Sequence, residues 1–312
     1  MDYIRDNKDK PFIYKKPFDY TVEIHLTHMC NFFCSGCSHY SNYKLNGYLS
    51  TERFKHYLET WSDKFNKLPL EFRLLGGEPT LHRNLVELIE LSRKYMPDNN
   101  ILLFTNGTYL HKHKNLKDVL IDNKIVLKLT DHSQEKKYRD KIDPIREILL
   151  KWSDEGLDYR SYDYSTDFGF SSEATDKGGG RGDNTSIWRK QYKGDGVTMR
   201  PFEDNEPKKS YEICCCSWAK GGIANIQLYE NKLWKCQHIA YLKDVLTKFG
   251  LQTHPKWTPY LKYKPLSSNV TFDEMVSWMK REEEDVCNMC PAYDDKRETV
   301  LDKDVFGERR YA

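Results

Sequence analysis

The stretch Thr27–Asn42, THMCNFFCSGCSHYSN, holds Cys30, Cys34 and Cys37, three of the nine cysteines in this 312-residue chain. It grows out of TVEIHLT (21–27), where Val22, Ile24 and Leu26 alternate with polar residues as a strand does. Three cysteines on one loop at a strand end read as metal ligands. They suit three irons of a [4Fe–4S] cubane, a cluster normally tied by four cysteines, with one iron left open. A zinc site completed by His28 or His39 is the other reading, and the cysteines alone leave both open.

The rest of the chain sets the context. No run approaches the roughly 18 apolar residues of a membrane span, and the first twenty residues carry no apolar signal region. A cytoplasmic protein is expected, in which clustered cysteines serve as ligands or redox groups rather than disulfides. A net charge of +2 with no basic stripe gives no reason to expect a nucleic-acid partner. The mild basic cluster His111–Lys117 reads as a solvated helix face.

Strand and helix patterns alternate outward from the cysteine loop. STERFKHYLETWSDKFNKL (50–68) offers Ser50 or Thr51 as N-cap and repeats Phe54, Tyr57, Leu58, Trp61 and Phe65 at helical spacing. EFRLLGGEPT (71–80) is a strand ending in Gly-Gly, and LHRNLVELIELSRKYMP (81–97) a helix stopped by Pro97. NILLFTNG (100–107) and KIVLKLTD (124–131) are strands around a helix in LHKHKNLKDVLID (110–122). DPIREILLKWSDEG (143–156) reads as a helix with Pro144 in its first turn, and LDYRSYDY (157–164) as the next strand. This order predicts an α/β fold, a partial (β/α)6 TIM-like barrel whose chemistry lies in loops after strand C-termini.

The expected division is an N-terminal arm over 1–20, a core over 21–205 and a small cysteine-rich auxiliary-cluster domain over 206–312. Within the core, 165–210 is an irregular insertion, a surface loop or a substrate lid. The last third holds Cys214, Cys215, Cys216, Cys236, Cys287 and Cys290. IANIQLYENKLWKCQH (223–238) reads as a hairpin turning at Glu230–Asn231, since Asn tolerates the left-handed backbone. TFDEMVSWMKREEEDVCNMCP (271–291) reads as a helix delivering Cys287 and Cys290 at its end.

C-x3-C-x2-C directly after a first strand resembles the radical S-adenosylmethionine superfamily, and the later strand-end motifs agree in order over roughly residues 20–160. The resemblance implies a [4Fe–4S] cluster on Cys30, Cys34 and Cys37 that binds S-adenosylmethionine. It implies that Gly76, Gly77, Glu78 and Pro79 hold the cofactor's amino group. Thr105 and Asn106 of FTNG, and Lys128, Thr130 and Asp131 of KLTD, would contact its carboxylate and ribose. Gly36 departs from the aromatic residue many members carry there. The run CNFFCSGCSHYS (30–41) is similar to a bacterial subgroup associated with surface-polysaccharide functions.

The spacing from Cys216 through Asn231 to Cys236, then Cys287 and Cys290, resembles the Twitch or SPASM auxiliary-cluster extension. That implies a second [4Fe–4S] cluster on these four cysteines, with Asn231 replacing the pattern's turn Gly; structural zinc is the alternative. Cys214 and Cys215 remain, either as buried small hydrophobes or as hydrogen-atom donors to a substrate radical. His238 reads as a core histidine, with a base or supporting role as alternatives. The resemblance implies a deoxyadenosyl radical that abstracts hydrogen from a small polar substrate, sugar or sugar-like, ending in epimerisation or dehydrogenation. An electron donor such as flavodoxin or ferredoxin is implied. Aromatic residues in WRKQY (188–192) and KWTPYLKYKPL (256–266) either stack on a sugar or pack. A peptide-modifying radical maturase and a non-enzymatic zinc-binding interaction protein are the rivals; a nucleoside or RNA substrate is weaker.

Overall fold

The computed structural model describes residues 19–34, 36–67, 71–131, 136–163, 187–189, 191–214, 216–217, 223–282, 284–293 and 299–301. Five strands alternate with four helices: β1 (Asp19–His25), α1 (Thr51–Phe65), β2 (Glu71–Leu75), α2 (Leu85–Tyr95), β3 (Ile101–Thr105), α3 (Leu116–Asp122), β4 (Val126–Asp131), α4 (Lys136–Asp154) and β5 (Tyr159–Asp163). A short β6 (Ile187–Arg189) pairs with β9 (Thr299–Leu301). The C-terminal part adds α5 (Pro207–Glu212), β7 (Ile223–Tyr229), β8 (Lys232–Trp234), α6 (Gln237–Ala240), α7 (Leu242–Lys248) and α8 (Phe272–Lys280).

The main sheet runs β5-β4-β3-β2-β1-β7-β8, parallel except for β8. Helical crossovers between parallel strands make it an open, partial TIM-like barrel, as the alternation predicts. The cysteine-rich segment does not stand apart from it. β7 lies along β1 from Asp19↔Ile223 to Ile24↔Leu228, so residues on both sides of position 205 share one sheet.

Successive strand residues face opposite ways. One face carries Val22, Ile24, Phe72, Leu74, Ile101, Leu103, Leu127 and Leu129, all buried in one core with Phe54, Leu58, Trp61 and Phe65 of α1. The other face carries Thr21, Glu23, His25, Glu71 and Gln227, also buried. Arg73 bonds Glu23 at 3.1 Å and Glu71 at 2.6 Å, and Gln227 donates to Glu23. Parallel sheets usually bury apolar side chains on both faces. A polar inner face that is nonetheless buried marks a lined site.

α1 starts as expected: Ser50 caps it, accepting from Arg53 N. The hairpin also turns as expected, with φ of 51° at Glu230 and 58° at Asn231, the left-handed pair a two-residue turn requires. Trp61 Nε1 anchors the turn through Asn231 Oδ1 at 3.1 Å.

Two local expectations are corrected. α4 begins at Lys136, so Pro144 sits inside it rather than in its first turn. Proline there lacks the N–H that would bond the Asp140 carbonyl, but the i,i+4 pairs Lys136–Asp140 and Arg139–Asp143 support the turns around it. α8 stops at Lys280, and Cys287 lies instead in a 3-10 helix, Asp285–Met289, which Cys290 caps. The acidic run 282–285 would oppose the dipole at a continuing helix's C-terminus.

The insertion's central part, 164–186 with 190, lies outside the described residues, and with it the lid expectation. The aromatic runs pack: Tyr192, Trp257 and Tyr260 are buried in a second core with Tyr40 and Tyr43 of the cysteine loop. Their rings are therefore not exposed stacking platforms. No helix among the described residues is long and apolar enough to cross a membrane.

Candidate active site

The Gly-Gly-Glu backbone continues the β1–β2 ladder beyond the strands. Leu26 N donates to Leu75 O (2.7 Å), Gly77 N to Thr27 O (2.7 Å) and Glu78 N to Met29 O (2.8 Å). The motif thus lies flat against the stem of the cysteine loop. Gly76 has φ 153°, and a Cβ there would stand 2.5 Å from Thr27 O; a Cβ on Gly77 would collide with the Met29 carbonyl. Only glycine permits this approach. Gly77→Ala is expected to lower stability by about 3 kcal/mol or more through that backbone collision, read as a drop in melting temperature and a loss of iron uptake at the loop.

Glu78 is 1% exposed and turned into the protein. Its Oε1 accepts from Thr80 N (2.9 Å), Thr80 Oγ1 (2.5 Å) and Thr105 Oγ1 (2.5 Å), and its Oε2 from Asn106 N (2.7 Å). Burial pushes its pKa up, while those four donors pull it back. Its carboxylate caps the 3-10 turn Pro79–Leu81 and ties the end of β2 to the end of β3. Beyond it, Asn106 Nδ2 donates to Asn31 Oδ1 (2.9 Å), and Asn31 Nδ2 donates to Thr108 Oγ1 (2.9 Å). Asn31, the residue after Cys30, was not singled out by the sequence; its neighbour's spacing was the only signal.

The thiols of the loop are set among N–H donors. Phe32 N donates to Cys30 Sγ at 3.4 Å. Burial raises the Cys37 thiol, and the N–H groups of His39, Ser41 and Asn42 oppose that rise. N–H groups aimed at sulfur favour the thiolate a metal requires, so this donor set fits a cluster. Among the described residues no three His, Cys, Asp or Glu side chains converge as one metal ion would need. A cubane takes its thiolates on separate irons and does not require that convergence.

β4 contributes differently along its length. Lys128 is half-buried on the inner face, 5.3 Å over the Phe104 ring, and burial lowers its pKa to about 8, against the pull of Glu71. Thr130 is buried, with its carbonyl accepting from Tyr138 OH at 3.3 Å. Asp131 ends the strand beside Asp163 of β5.

A second thiol group gathers at the other end of the chain. Cys214, Cys216, Cys236, Cys287 and Cys290 all line one small cavity, with Lys235 at its wall. Cys236 is the N-cap of α6; burial, chiefly, and Cys214 push its thiol up to about 12, opposed by the N–H groups of Ile239 and His238. Cys287 is raised by burial and then by Cys214 and Cys236, which line the same cavity. The Cys216 thiol donates to Gln237 Oε1 at 3.1 Å. Cys214 therefore joins the four expected ligands in the cavity rather than standing apart, while Cys215 lies outside the described residues. His238 is buried, and its carbonyl accepts from Tyr40 OH at 3.3 Å. Tyr40 comes from the cysteine loop, so its ring links the two thiol groups.

Sequence comparison agrees with this geometry. Residues 24–160 match the family model described as Radical SAM superfamily. A GTP 3',8-cyclase of Nautilia profundicola is 29% identical over 106 residues, covering 34% of this chain and 33% of the relative. A probable GTP 3',8-cyclase of Thermoplasma volcanium is 36% identical over 93 residues, 29% of this chain and 26% of the relative. The chain thus spans a third or less of the length of these curated relatives. Among solved structures, BtrN in complex with AdoMet and 2-DOIA aligns at 18% identity over 87% of this chain and 92% of that one, with TM-score 0.48. Streptococcus suis SuiB bound to S-adenosylmethionine aligns at 17% identity over 48% of this chain and 34% of that one, with TM-score 0.39. With the cysteine loop, the Gly-Gly-Glu-Pro turn and the strand-end Thr-Asn-Gly assembled on one sheet edge, residues 24–160 of this chain are a radical SAM domain.

Proposed function

We propose that this radical SAM enzyme carries an auxiliary [4Fe–4S] cluster and abstracts a hydrogen atom from a small polar substrate, sugar or sugar-like. The observation that carries the reading is the single cavity lined by Cys214, Cys216, Cys236, Cys287 and Cys290, separate from the three thiols of the radical domain. Cys30, Cys34 and Cys37 would hold the first cluster. When bound, cluster and S-adenosylmethionine supply one-electron cleavage and a radical able to attack an unactivated carbon.

The chain's own residues orient that chemistry. Gly76, Gly77 and Pro79 line up the turn along the cysteine loop. Glu78 fixes Thr105 and Asn106 beside it. Lys128, Thr130 and Asp131 supply the β4 wall for the cofactor's ribose and carboxylate. Cys214, lining one cavity with Cys236 and Cys287, serves the auxiliary cavity; this favours dehydrogenation, while a donor role for Cys215 would give epimerisation. A flavodoxin or ferredoxin would deliver the electron. The relatives' name favours a second reading, a purine nucleotide substrate.

Reconstituted without oxygen, the protein is expected to hold about eight irons and to form 5′-deoxyadenosine after reduction. Cys236→Ala is expected to cut iron to about half. Unchanged iron in that variant removes the auxiliary cluster from the reading.

A further inference from the structure

Cys30 is bracketed by fastenings to two different strands. Before it, Met29 O accepts from Glu78 N at 2.8 Å, a rung of the ladder to the turn after β2. After it, the half-buried Asn31 amide reaches the end of β3 and closes a hydrogen-bonded ring with Asn106 and Thr108.

One main-chain group fixes the direction of that whole ring. Thr108 N can only donate, and it donates to Asn106 Oδ1 at 3.1 Å. This identifies the oxygen of the Asn106 amide, so its nitrogen is the atom that meets Asn31, donating to Asn31 Oδ1 at 2.9 Å. The Asn31 nitrogen in turn donates to Thr108 Oγ1 at 2.9 Å. The Thr108 hydroxyl keeps its own hydrogen for Asn106 Oδ1, at 2.7 Å, and the ring is complete. Every member both gives and takes, and hydrogen bonds in such a chain polarise and strengthen one another.

The ring is not what holds β3 in place. Glu78 already fixes the Asn106 main chain, whose N–H donates to Oε2 at 2.7 Å. What the ring adds is the far side of Cys30, tied to a strand end that Glu78 keeps still. Asn106 is buried, while Asn31 and Thr108 stay partly exposed at that strand end. We infer that Asn31 is a positioning residue for S-adenosylmethionine: it holds the start of the cluster loop against the end of β3, beside the cofactor's carboxylate. This rests on the reading above that Thr105 and Asn106 mark the carboxylate end of the cofactor.

The test is a calorimetric titration of the unreduced, iron-loaded protein with S-adenosylmethionine and with its decarboxylated analogue, which keeps the adenosyl sulfonium and the amino group. The parent is expected to bind S-adenosylmethionine more tightly. Asn31→Ala opens the ring and should weaken S-adenosylmethionine roughly tenfold, with the analogue little changed and iron content that of the parent. Asn31→Asp can close the ring, since one oxygen accepts from Asn106 and the other accepts the Thr108 hydroxyl. It should keep the parent's iron and melting temperature, yet shift the preference toward the analogue, because its charge opposes a carboxylate. An asparagine that only supports the fold would move both ligands alike and be restored by Asn31→Asp. Where Asn31→Ala fails to load iron, Asn31→Asp decides alone. Parent-like binding by the variants, or an equal loss for both ligands, would overturn the inference and leave the cofactor reading standing. A parent that loads iron and binds neither ligand would overturn both.

Discussion

The combined variant Cys30→Ala/Cys34→Ala/Cys37→Ala is expected to form no 5′-deoxyadenosine and to retain about four irons. The loss should be complete because these three thiols are the radical domain's cysteines, and the remaining described cysteines line a different cavity. The loop itself should stay in place. Its stem is fastened by Gly77 N–Thr27 O and His28 N–Gly47 O, and its start by Asn31 on Thr108. Cys34 is buried, at 7% exposure, and Cys30 and Cys37 are half-buried against the same core, so packing losses should be on the order of 1 kcal/mol each. Deoxyadenosine release, iron content and a melting curve on one preparation decide it. Continued cleavage would remove the site assignment, and complete loss of iron would mean that the two thiol groups assemble as one unit.

Glu78→Ala is expected to be among the most damaging single substitutions in the chain. It strands the N–H groups of Thr80 and Asn106 and the hydroxyls of Thr80 and Thr105 in a site that is 1% exposed. The two hydroxyls can rotate toward other acceptors; the two N–H groups cannot. The expected cost is on the order of 3–5 kcal/mol, or a fall in melting temperature of roughly 10 °C. Glu78→Gln should recover part of this, because one amide oxygen still accepts while its NH2 opposes a fixed N–H. Equal stability of Glu78→Ala and the parent would mean that water replaces the carboxylate, and that Glu78 is not the clamp between β2 and β3. The same clamp predicts that Thr105→Val will be milder, since it removes one rotatable donor.

Local signals carried far in this chain. The spacing of Cys30, Cys34 and Cys37 after an alternating strand, and the order of Gly-Gly-Glu-Pro and Thr-Asn-Gly after later strands, were legible. They depend on short-range geometry, namely strand period, turn residues and loop length. Ser50 as a cap and Asn231 as a turn residue belong to the same class. Pro144 and the end of α8 were misjudged because two local rules competed there. Helix ion pairs outweighed proline's usual position, and an acidic run outweighed helical periodicity.

The sequence by itself determined the radical domain, its three thiols and the parallel strand order from β1 to β5, because neighbouring elements in the chain specify one another. Tertiary structure decided that the C-terminal hairpin lies along β1, that Cys214 joins the auxiliary thiols, that Glu78 points inward, and that Asn31, Asn106 and Thr108 close one ring. These depend on contacts between residues up to some two hundred positions apart, as in Asp19↔Ile223. Shape and hydrogen-bond complementarity select such pairings only once the sheet has closed, and no spacing along the chain encodes them.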